Sequence, residues 1–261
     1  MQQTSRTLAA LEHLAEASAG GVALSAFAAA MELPKSGAHR LLTTLVEAGY
    51  AEQEEATGFY RLTPRLVSVA LRHLGRQGVV DAAQPVLDGL AEVSGELVRL
   101  SVTDGDSQVW VAKAQGARGG LIYDPQMGTS PHLASMATGL AWLASFDDER
   151  ALTMVAAQGL HAEGAGPNAP QNLTDLLARL AEVRATGHAV AINSSAPGMS
   201  ALARVVRHPA RDAVIGTVSI GGPSTRLTPE RIAALVPALT EAAAALSNRA
   251  AASTAFAPTR R

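Results

Sequence analysis

Three short stretches near the start of the chain carry apolar residues at three- and four-residue spacing, which predicts three amphipathic helices. The first helix covers residues 5–18. The second runs from about 26 to 31 and has Ser25 as its N-cap. The third covers 35–48 and follows Pro34, which suits a first helical turn because it has no N–H to leave unpaired.

A β-hairpin is predicted directly after the third helix. Residues 50–53 and 59–62 have strand-like patterns and are joined by five residues that end in Gly58. Residues 64–82 then predict one long helix. Three helices followed by a hairpin have the size and order of a winged helix-turn-helix.

Beyond residue 82 the pattern changes to a mixture of helices and strands. The predicted helices cover residues 83–94, 135–143, 148–157, 173–186 and 229–247. The predicted strands cover residues 97–103, 108–114, 119–123, 188–193, 201–207 and 214–220. The predicted fold class is therefore α+β. It comprises a winged helix-turn-helix DNA-binding domain over 1–63, a linker helix over 64–82, an α/β domain over 83–248 and a flexible tail over 249–261.

The predicted helix over 35–48 has the features of a recognition helix, the element that enters the major groove of DNA. Its inward stripe consists of Ala38, Leu41, Leu42 and Leu45. The opposite face carries donors and acceptors that suit base edges and phosphates: Lys35, Ser36, His39, Arg40, Thr43 and Thr44. The same polar face is also typical of the solvated side of an ordinary three-helix bundle.

The charge of the chain favours DNA binding only locally. The 261 residues have a formal net charge of −2, which argues against a protein that binds nucleic acid over its whole surface. Residues 1–80 contain seven basic and seven acidic residues, so the N-terminal module is neutral. No acidic residue lies between Glu32 and Glu47, however, so the predicted groove face is free of repulsion.

The hairpin, which would form the wing, is the second candidate contact with DNA. Glu54 and Glu55 near its tip should repel phosphates, whereas Tyr60 and Arg61 could contact them. We therefore expect modest affinity per module, raised by dimerisation. The full set of candidate DNA-binding residues is Arg6, Ser25, Lys35, Ser36, Gly37, His39, Arg40, Thr43, Thr44, Tyr60 and Arg61.

The remaining composition excludes several classes of protein. The chain has no Cys, which excludes a disulfide scaffold, a thiolate nucleophile and any zinc or iron–sulfur site with sulfur ligands. No two of the seven His residues are spaced as neighbours on a helix, and we expect neither a metal nor a cofactor. The sequence contains no apolar run of membrane-spanning length and no secretory signal, so we expect a cytoplasmic protein with no membrane partner.

Catalytic motifs are missing from the sequence as well. It has no Gly-x-Ser-x-Gly elbow, no His-Glu-x-x-His pair, no phosphate-binding Gly-Lys loop and no dinucleotide-binding glycine motif. We therefore expect a protein that is not an enzyme. Two alternatives stay open: a hydrolase or other small-molecule enzyme built on the α/β domain, and a DNA-binding protein that needs no effector.

Several segments resemble the IclR family of bacterial transcriptional regulators, and the resemblance covers nearly the whole chain. In the N-terminal part the matching residues are Ser5-Arg6-Thr7-Leu8, Leu33-Pro34-Lys35-Ser36, His39-Arg40-Leu41-Leu42, Gly58-Phe59-Tyr60-Arg61-Leu62 and Pro64-Arg65-Leu66. In the remainder they are residues 128–144, 183–189 and 215–227. Together these segments are specific, although any one of them alone would be weak.

The resemblance implies a winged helix-turn-helix joined by a helix to a GAF-like effector-binding domain. Proteins of this family are homodimers or homotetramers that bind palindromic operators in double-stranded DNA. They respond to a small metabolite, often an aromatic or short organic acid. We therefore expect a ligand-responsive transcriptional regulator, acting as a repressor of a catabolic operon.

The resemblance also implies where the effector binds. The family's pocket lies between the sheet and the segment over 135–139, whose backbone amides face the ligand. The positions carried over from the family are Met136, Ala137, Thr138, Met199, Ser219 and Gly221. Tyr123 and Asn193 fall nearby, and we add Trp110 because it lies on a strand of the same sheet. For Trp110 and the two Met residues, core packing is the alternative interpretation.

The sequence departs from the family pattern at both candidate sites. Gly37 stands where the recognition helix commonly has Ser or Thr, and glycine costs roughly 1 kcal/mol in a helix interior. Ala191, Ala201 and Gly221 stand where related pockets often have polar residues. The loss of these groups predicts a larger and less polar pocket, and hence a small aromatic acid or amide as effector.

Overall fold

The computed structural model describes residues 2–250 apart from residues 19, 78 and 212. These residues form two compact units that divide between Arg76 and Gln77. The fold class is α+β, as predicted. Within the described part of the chain, no helix is both long and apolar enough to cross a lipid bilayer.

The first unit contains the predicted helices and hairpin. Its elements are α1 (Gln2–Glu16), α2 (Leu24–Ala30), α3 (Lys35–Glu47), β1 (Ala51–Gln53), β2 (Tyr60–Leu62) and α4 (Arg65–Gln77). Phe27 and Leu42, which have no exposed surface, lie in a core to which α1, α2, α3 and the hairpin all contribute. This arrangement is a helix-turn-helix followed by a two-stranded wing.

The ends and faces of the first two helices differ from the prediction. Ser25 is not an N-cap, because α2 begins one residue earlier and is preceded by Ala23, which forms no side-chain capping bond. In α1 the buried positions are Ala10 and Leu14, whereas Leu8 is 57% exposed. A small core buries only one narrow stripe of a short helix, so part of the apolar pattern stays at the surface.

The single helix predicted over residues 64–82 is two helices. α4 ends at Gln77, and α5 covers Val79–Ser94, so that α5 includes both the end of the predicted linker and the helix predicted over 83–94. Residue 78 lies outside the described residues. Glycine at positions 75 and 78 lowers the helix propensity in this stretch.

The second unit is a five-stranded antiparallel sheet covered by helices on both faces. Its elements after α5 are β3 (Leu97–Asp104), β4 (Ser107–Gln115), α6 (Ala137–Leu143), α7 (Asp148–Gln158), α8 (Leu173–Thr186), β5 (Ala189–Ile192), β6 (Met199–Arg207), β7 (Val214–Pro223) and α9 (Pro229–Ala250). The strand order is β4-β3-β7-β6-β5, and all neighbours are antiparallel. One face packs on α5 and α9, and the other packs on α6, α7 and α8.

Two further predictions in this unit are wrong. Residues 119–123 form no strand, because Gly120 adopts a φ of 73° and no neighbouring strand pairs with the segment. The flexible tail predicted over 249–261 begins too early, because α9 continues to Ala250, which is fully buried. Residues 251–261 lie outside the described residues.

Candidate nucleic-acid interface and effector cavity

The outer face of α3 carries the exposed polar residues that the sequence predicts. Ala38, Leu42 and Leu45 are buried, so the helix turns Lys35 and Arg40 toward solvent. Of the other candidates on this helix, Ser36, His39 and Thr44 are exposed, and Gly37 and Thr43 are half-buried. Leu41, predicted in the inward stripe, is only half-buried.

The turn before α3 holds this helix against α2. The backbone N–H of Leu33 donates to the carbonyl of Ala28 at 2.9 Å, and Glu32 adopts a left-handed conformation with a φ of 52°. A non-glycine residue rarely adopts this conformation, so packing of the two helices must stabilise the turn. The turn thereby fixes the angle at which α3 presents its outer face.

The exposed cations of α3 are free of counterions. Among the described residues neither Lys35 nor Arg40 forms an ion pair or a side-chain hydrogen bond. The hydroxyl of Thr44 donates to the carbonyl of Arg40 at 2.9 Å, so that side chain lies along the helix. An unpaired cation beside an exposed helix face can bond a phosphate or a guanine edge without first breaking a salt bridge.

The wing offers fewer contacts than the sequence predicts. Tyr60 is only 3% exposed and belongs to the core, so its side chain is not available to DNA. Alternation along β2 explains this correction, because Tyr60 points inward and Arg61 outward. Arg61 is not free either, since its Nε donates to the Glu52 carboxylate at 2.7 Å. Elsewhere in the unit, Arg6 and Ser25 are exposed on α1 and α2.

In the second unit, a small cavity lies between the sheet and the start of α6. Seven of the nine predicted effector contacts line it: Tyr123, Met136, Ala137, Thr138, Met199, Ser219 and Gly221. The remaining lining residues are Arg99, Ser195, Ser200 and Ala201. The cavity has a volume of about 20 Å³, which is enough for roughly one water molecule.

The other two predicted contacts do not line this cavity. Trp110 lies behind it, with the guanidinium carbon of Arg99 3.6 Å from its ring centroid. Asn193 shapes the loop before β6, because its Oδ1 accepts a hydrogen bond from the N–H of Gly198 at 2.7 Å. Trp110 therefore contacts a lining residue, Arg99, and Asn193 holds the loop that precedes the lining residue Met199.

Two features of the lining bear on the prediction of a larger and less polar pocket. A Cβ atom built on Gly221 would lie 3.6 Å from the ring of Tyr123, so the tyrosine already fills the space beside this glycine. Arg99 adds a guanidinium to the lining. The guanidinium of Arg99, on β3, therefore makes the lining polar although Ala201 and Gly221 have no polar side chain.

Arg99 is the residue of the site that the sequence analysis missed. It is only 8% exposed, and burial lowers the pKa of its guanidinium, although electrostatic interactions with Tyr123 and Asp124 oppose this effect. Its Nη1 is buried without a hydrogen-bond partner among the described residues. The available signal was a single cation within the apolar strand pattern over 97–100.

The segment between β4 and α6 holds Tyr123 over the cavity. Its backbone is held by two side chains: Gln115 donates to the carbonyl of Tyr123 at 3.0 Å, and Arg226 donates to that of Leu121 at 3.0 Å. Arg226 also makes a bidentate pair with the buried carboxylate of Glu96, at 2.5 and 2.7 Å. Arg226 thus links the segment that carries Tyr123, which covers the cavity, to Glu96 at the start of β3.

Comparison with known proteins identifies both units. Residues 3–55 match the IclR helix-turn-helix domain, and residues 71–248 match the bacterial transcriptional regulator IclR C-terminal domain. The chain therefore belongs to the IclR family of transcriptional regulators, as its sequence motifs predict. This is a family of DNA-binding regulators with a ligand-binding C-terminal domain.

Individual relatives agree with this assignment. The chain is 30% identical over 235 residues to the transcriptional repressor IclR of Escherichia coli strain K12, a match that covers 89% of this chain and 84% of the repressor. A solved structure from Silicibacter sp. TM1040, described as a candidate IclR transcriptional regulator, has 27% identity and a TM-score of 0.80 over 98% of this chain and 99% of that one.

A third relative was solved with a ligand. An IclR homologue from Microbacterium hydrocarbonoxydans, in complex with 4-hydroxybenzoate, has a TM-score of 0.79 over 95% of this chain and all of that chain. Its sequence identity is 21%, so this likeness concerns the fold alone.

Proposed function

We propose that this regulator represses a catabolic operon and that a small aromatic acid or amide controls its binding to DNA. It acts in the cytoplasm as a homodimer or homotetramer on a palindromic operator. The observation that carries the proposal is that one chain contains both an acid-free exposed face on α3 and a small cavity in the second unit, which we call the effector unit. Repressors among the relatives and a relative solved with an aromatic acid support the direction of control and the class of ligand.

The recognition face consists of Lys35, Ser36, His39 and Arg40, with Thr43 and Thr44 one turn further along. Side chains near the start of a recognition helix reach base edges, and arginine bonds guanine through two donors at once. Gly37 is half-buried, and a Cβ atom there would touch only Pro34, at 3.9 Å. We therefore assign Gly37 no direct contact and leave the groove to the longer side chains.

The test is the affinity of the full chain for the DNA upstream of its own gene, measured by gel shift or fluorescence anisotropy. Arg40→Ala should weaken binding about tenfold or more, since a good bidentate base contact contributes about 1–3 kcal/mol. Arg211→Ala is the matched control, because Arg211 is an exposed arginine of the effector unit. Unchanged affinity in the Arg40 variant would show that α3 does not read the groove as assigned.

The ligand arm of the proposal has its own test. Addition of benzoate or benzamide should change the affinity of the parent protein for this DNA, because a ligand acts on DNA binding only through unequal affinity for two arrangements of the protein. A DNA affinity that no acid or amide alters would favour a DNA-binding protein without an effector.

A further inference from the structure

The effector unit contains two buried charged side chains, of which one has a counterion and the other has none among the described residues. Among the described residues, Glu96 and Arg99 are the charged side chains in the buried class, with 2% and 8% of their surface exposed. Glu96 has a full counterion, since Arg226 bonds both of its carboxylate oxygens. Arg99 lies three residues further along the chain, on β3, and has no carboxylate partner in the described part of the chain. A buried unpaired cation is strongly destabilising, so its presence in the fold calls for a partner that is not part of the chain.

The surroundings of Arg99 leave its donor edge free. The guanidinium stacks on Trp110 with 3.6 Å between the guanidinium carbon and the ring centroid, so the aromatic ring covers one flat face. The N–H groups around the edge of the plane remain to bond an oxygen acceptor, and Nη1 has none. Stacking therefore holds the guanidinium plane in one orientation without using its donors.

The cavity beside Arg99 contains further unused hydroxyl groups and no acid. Thr138 and Ser219 line it, are 3% and 5% exposed, and form no side-chain hydrogen bond within the described residues. None of the lining residues is Asp or Glu. The carboxylate of Asp124, which acts on Arg99 only at a distance, is bound by Lys113 at 2.5 Å. One cation and several hydroxyl groups around an acid-free cavity suit an anion with two oxygen acceptors.

We propose that Arg99, stacked on Trp110, binds the effector through a carboxylate, and that the effector is therefore a carboxylic acid in its anionic form and not an amide. The inference rests on the proposed function of this cavity as the effector site. A guanidinium has only donors, and a carboxylate accepts two parallel hydrogen bonds from it. An amide offers only one acceptor oxygen and leaves the buried charge uncompensated. Its two N–H groups also find no acceptor on Arg99, because a guanidinium cannot accept hydrogen bonds.

The acid enters the cavity in exchange for the Tyr123 side chain. The cavity volume of about 20 Å³ is too small for any organic acid, and the Tyr123 ring occupies the space next to Gly221. Tyr123 is half-buried on a segment where Leu121 and Ile122 are 68% and 49% exposed, so little packing opposes rotation of its side chain while Gln115 and Arg226 hold the backbone. Once the ring moves, the carboxylate takes its place beside Arg99 and accepts the hydrogen bond that Nη1 lacks.

The experiment compares matched acids and amides on the full chain. Thermal shift and calorimetric titration are run with benzoate against benzamide, 4-hydroxybenzoate against 4-hydroxybenzamide, and pyruvate against pyruvamide. The first variant, Arg99→Met, removes the charge but keeps an apolar side chain against Trp110. The second, Arg99→Lys, keeps the charge but loses the pair of parallel N–H donors of the guanidinium. Arg118→Met, at an exposed position, is the control.

We expect at least one acid to bind the parent and the Arg118 variant, with its amide bound at least about tenfold more weakly. Arg99→Met should lose the acid and retain a melting temperature at or above that of the parent, because it removes an unpaired buried charge. Arg99→Lys should bind the acid more weakly than the parent, and it tests the inference if the Met variant does not fold. Equal binding of acid and amide, retention of the acid by the Met and Lys variants, or no acid bound by the parent would each overturn the inference.

The same samples separate this inference from the proposed function. If acid and amide release DNA equally well, Arg99 does not select the ligand, but the protein is still a ligand-responsive regulator. If the acid binds through Arg99 and the affinity for DNA does not change, the anion site stands and the regulatory role of the cavity fails.

Discussion

Removal of Arg226 tests whether the cover of the cavity depends on a buried ion pair. Arg226→Met leaves Glu96, whose side chain is 3% exposed, without the two hydrogen bonds that neutralise it. Breaking a buried pair by loss of one partner costs about 3–5 kcal/mol, and we expect the lower end because the Arg226 side chain is 36% exposed. For a unit of this size, about 3 kcal/mol lowers the melting temperature by roughly 6–12 °C. Melting should be measured for this variant, for Glu96→Gln/Arg226→Met and for the exposed-site control Arg118→Met.

The double variant Glu96→Gln/Arg226→Met tests whether the unpaired charge of Glu96 causes the loss of stability. It removes that charge together with its partner, so it should recover a large part of the lost melting temperature. The single variant should also bind effector acids with altered affinity, because Arg226 holds the Leu121 carbonyl of the segment that carries Tyr123. An Arg226→Met protein that melts within about 1 °C of the parent, or a double variant no better than the single one, would refute the account of this ion pair.

The remaining predictions concern close packing and pH. Gly216→Ala should destabilise the effector unit by about 3 kcal/mol, because a Cβ atom there would lie closer than 3.0 Å to the Ser101 carbonyl oxygen. Gly89→Ala should be neutral or stabilising, because a Cβ atom at that position meets nothing within 4 Å. Chemical denaturation measures the free energy of unfolding of both variants. Burial lowers the pKa of His132, so the unfolded chain binds more protons between this lowered pKa and about 6.5. The stability that neutral His132 contributes is therefore present above about pH 6.5 and is lost as the pH falls toward the lowered value. Denaturation between about pH 5 and 7.5 should show a smaller pH dependence for His132→Gln than for the parent, and an equal dependence would contradict the assignment.

The order of the elements could be predicted from the sequence because each element has a strong local signal. The apolar positions of α3 recur at helical spacing, and Ala38, Leu42 and Leu45 are buried as this spacing requires. Glycine and proline mark the limits of the helices and the hairpin. The prediction failed where a strand-like pattern had no neighbouring strand to pair with. Residues 119–123 have such a pattern, but no strand lies beside them in the sheet.

The candidate site was predictable only in part, for a similar reason. Most of the cavity lining came from resemblance to a family and not from any property of the residues. Tyr60 was misplaced because an aromatic residue on a three-residue strand can face either side, and only the packed core decides which. Arg99 was missed because an apolar strand pattern predicts burial, and burial normally excludes a charge. Only the structure shows that this side chain stacks on Trp110 at the wall of a cavity.

The central claim is that ligand binding in the effector unit changes the affinity of the helix-turn-helix for DNA. Its most direct test is the Kd for the upstream DNA fragment, measured by anisotropy with and without a saturating acid that the parent binds. The account predicts a change of about fivefold to a hundredfold in the parent, and none in Arg99→Met, as expected for a coupling free energy of about 1–3 kcal/mol. An unchanged Kd for the parent protein, while calorimetry shows the acid bound, would contradict it.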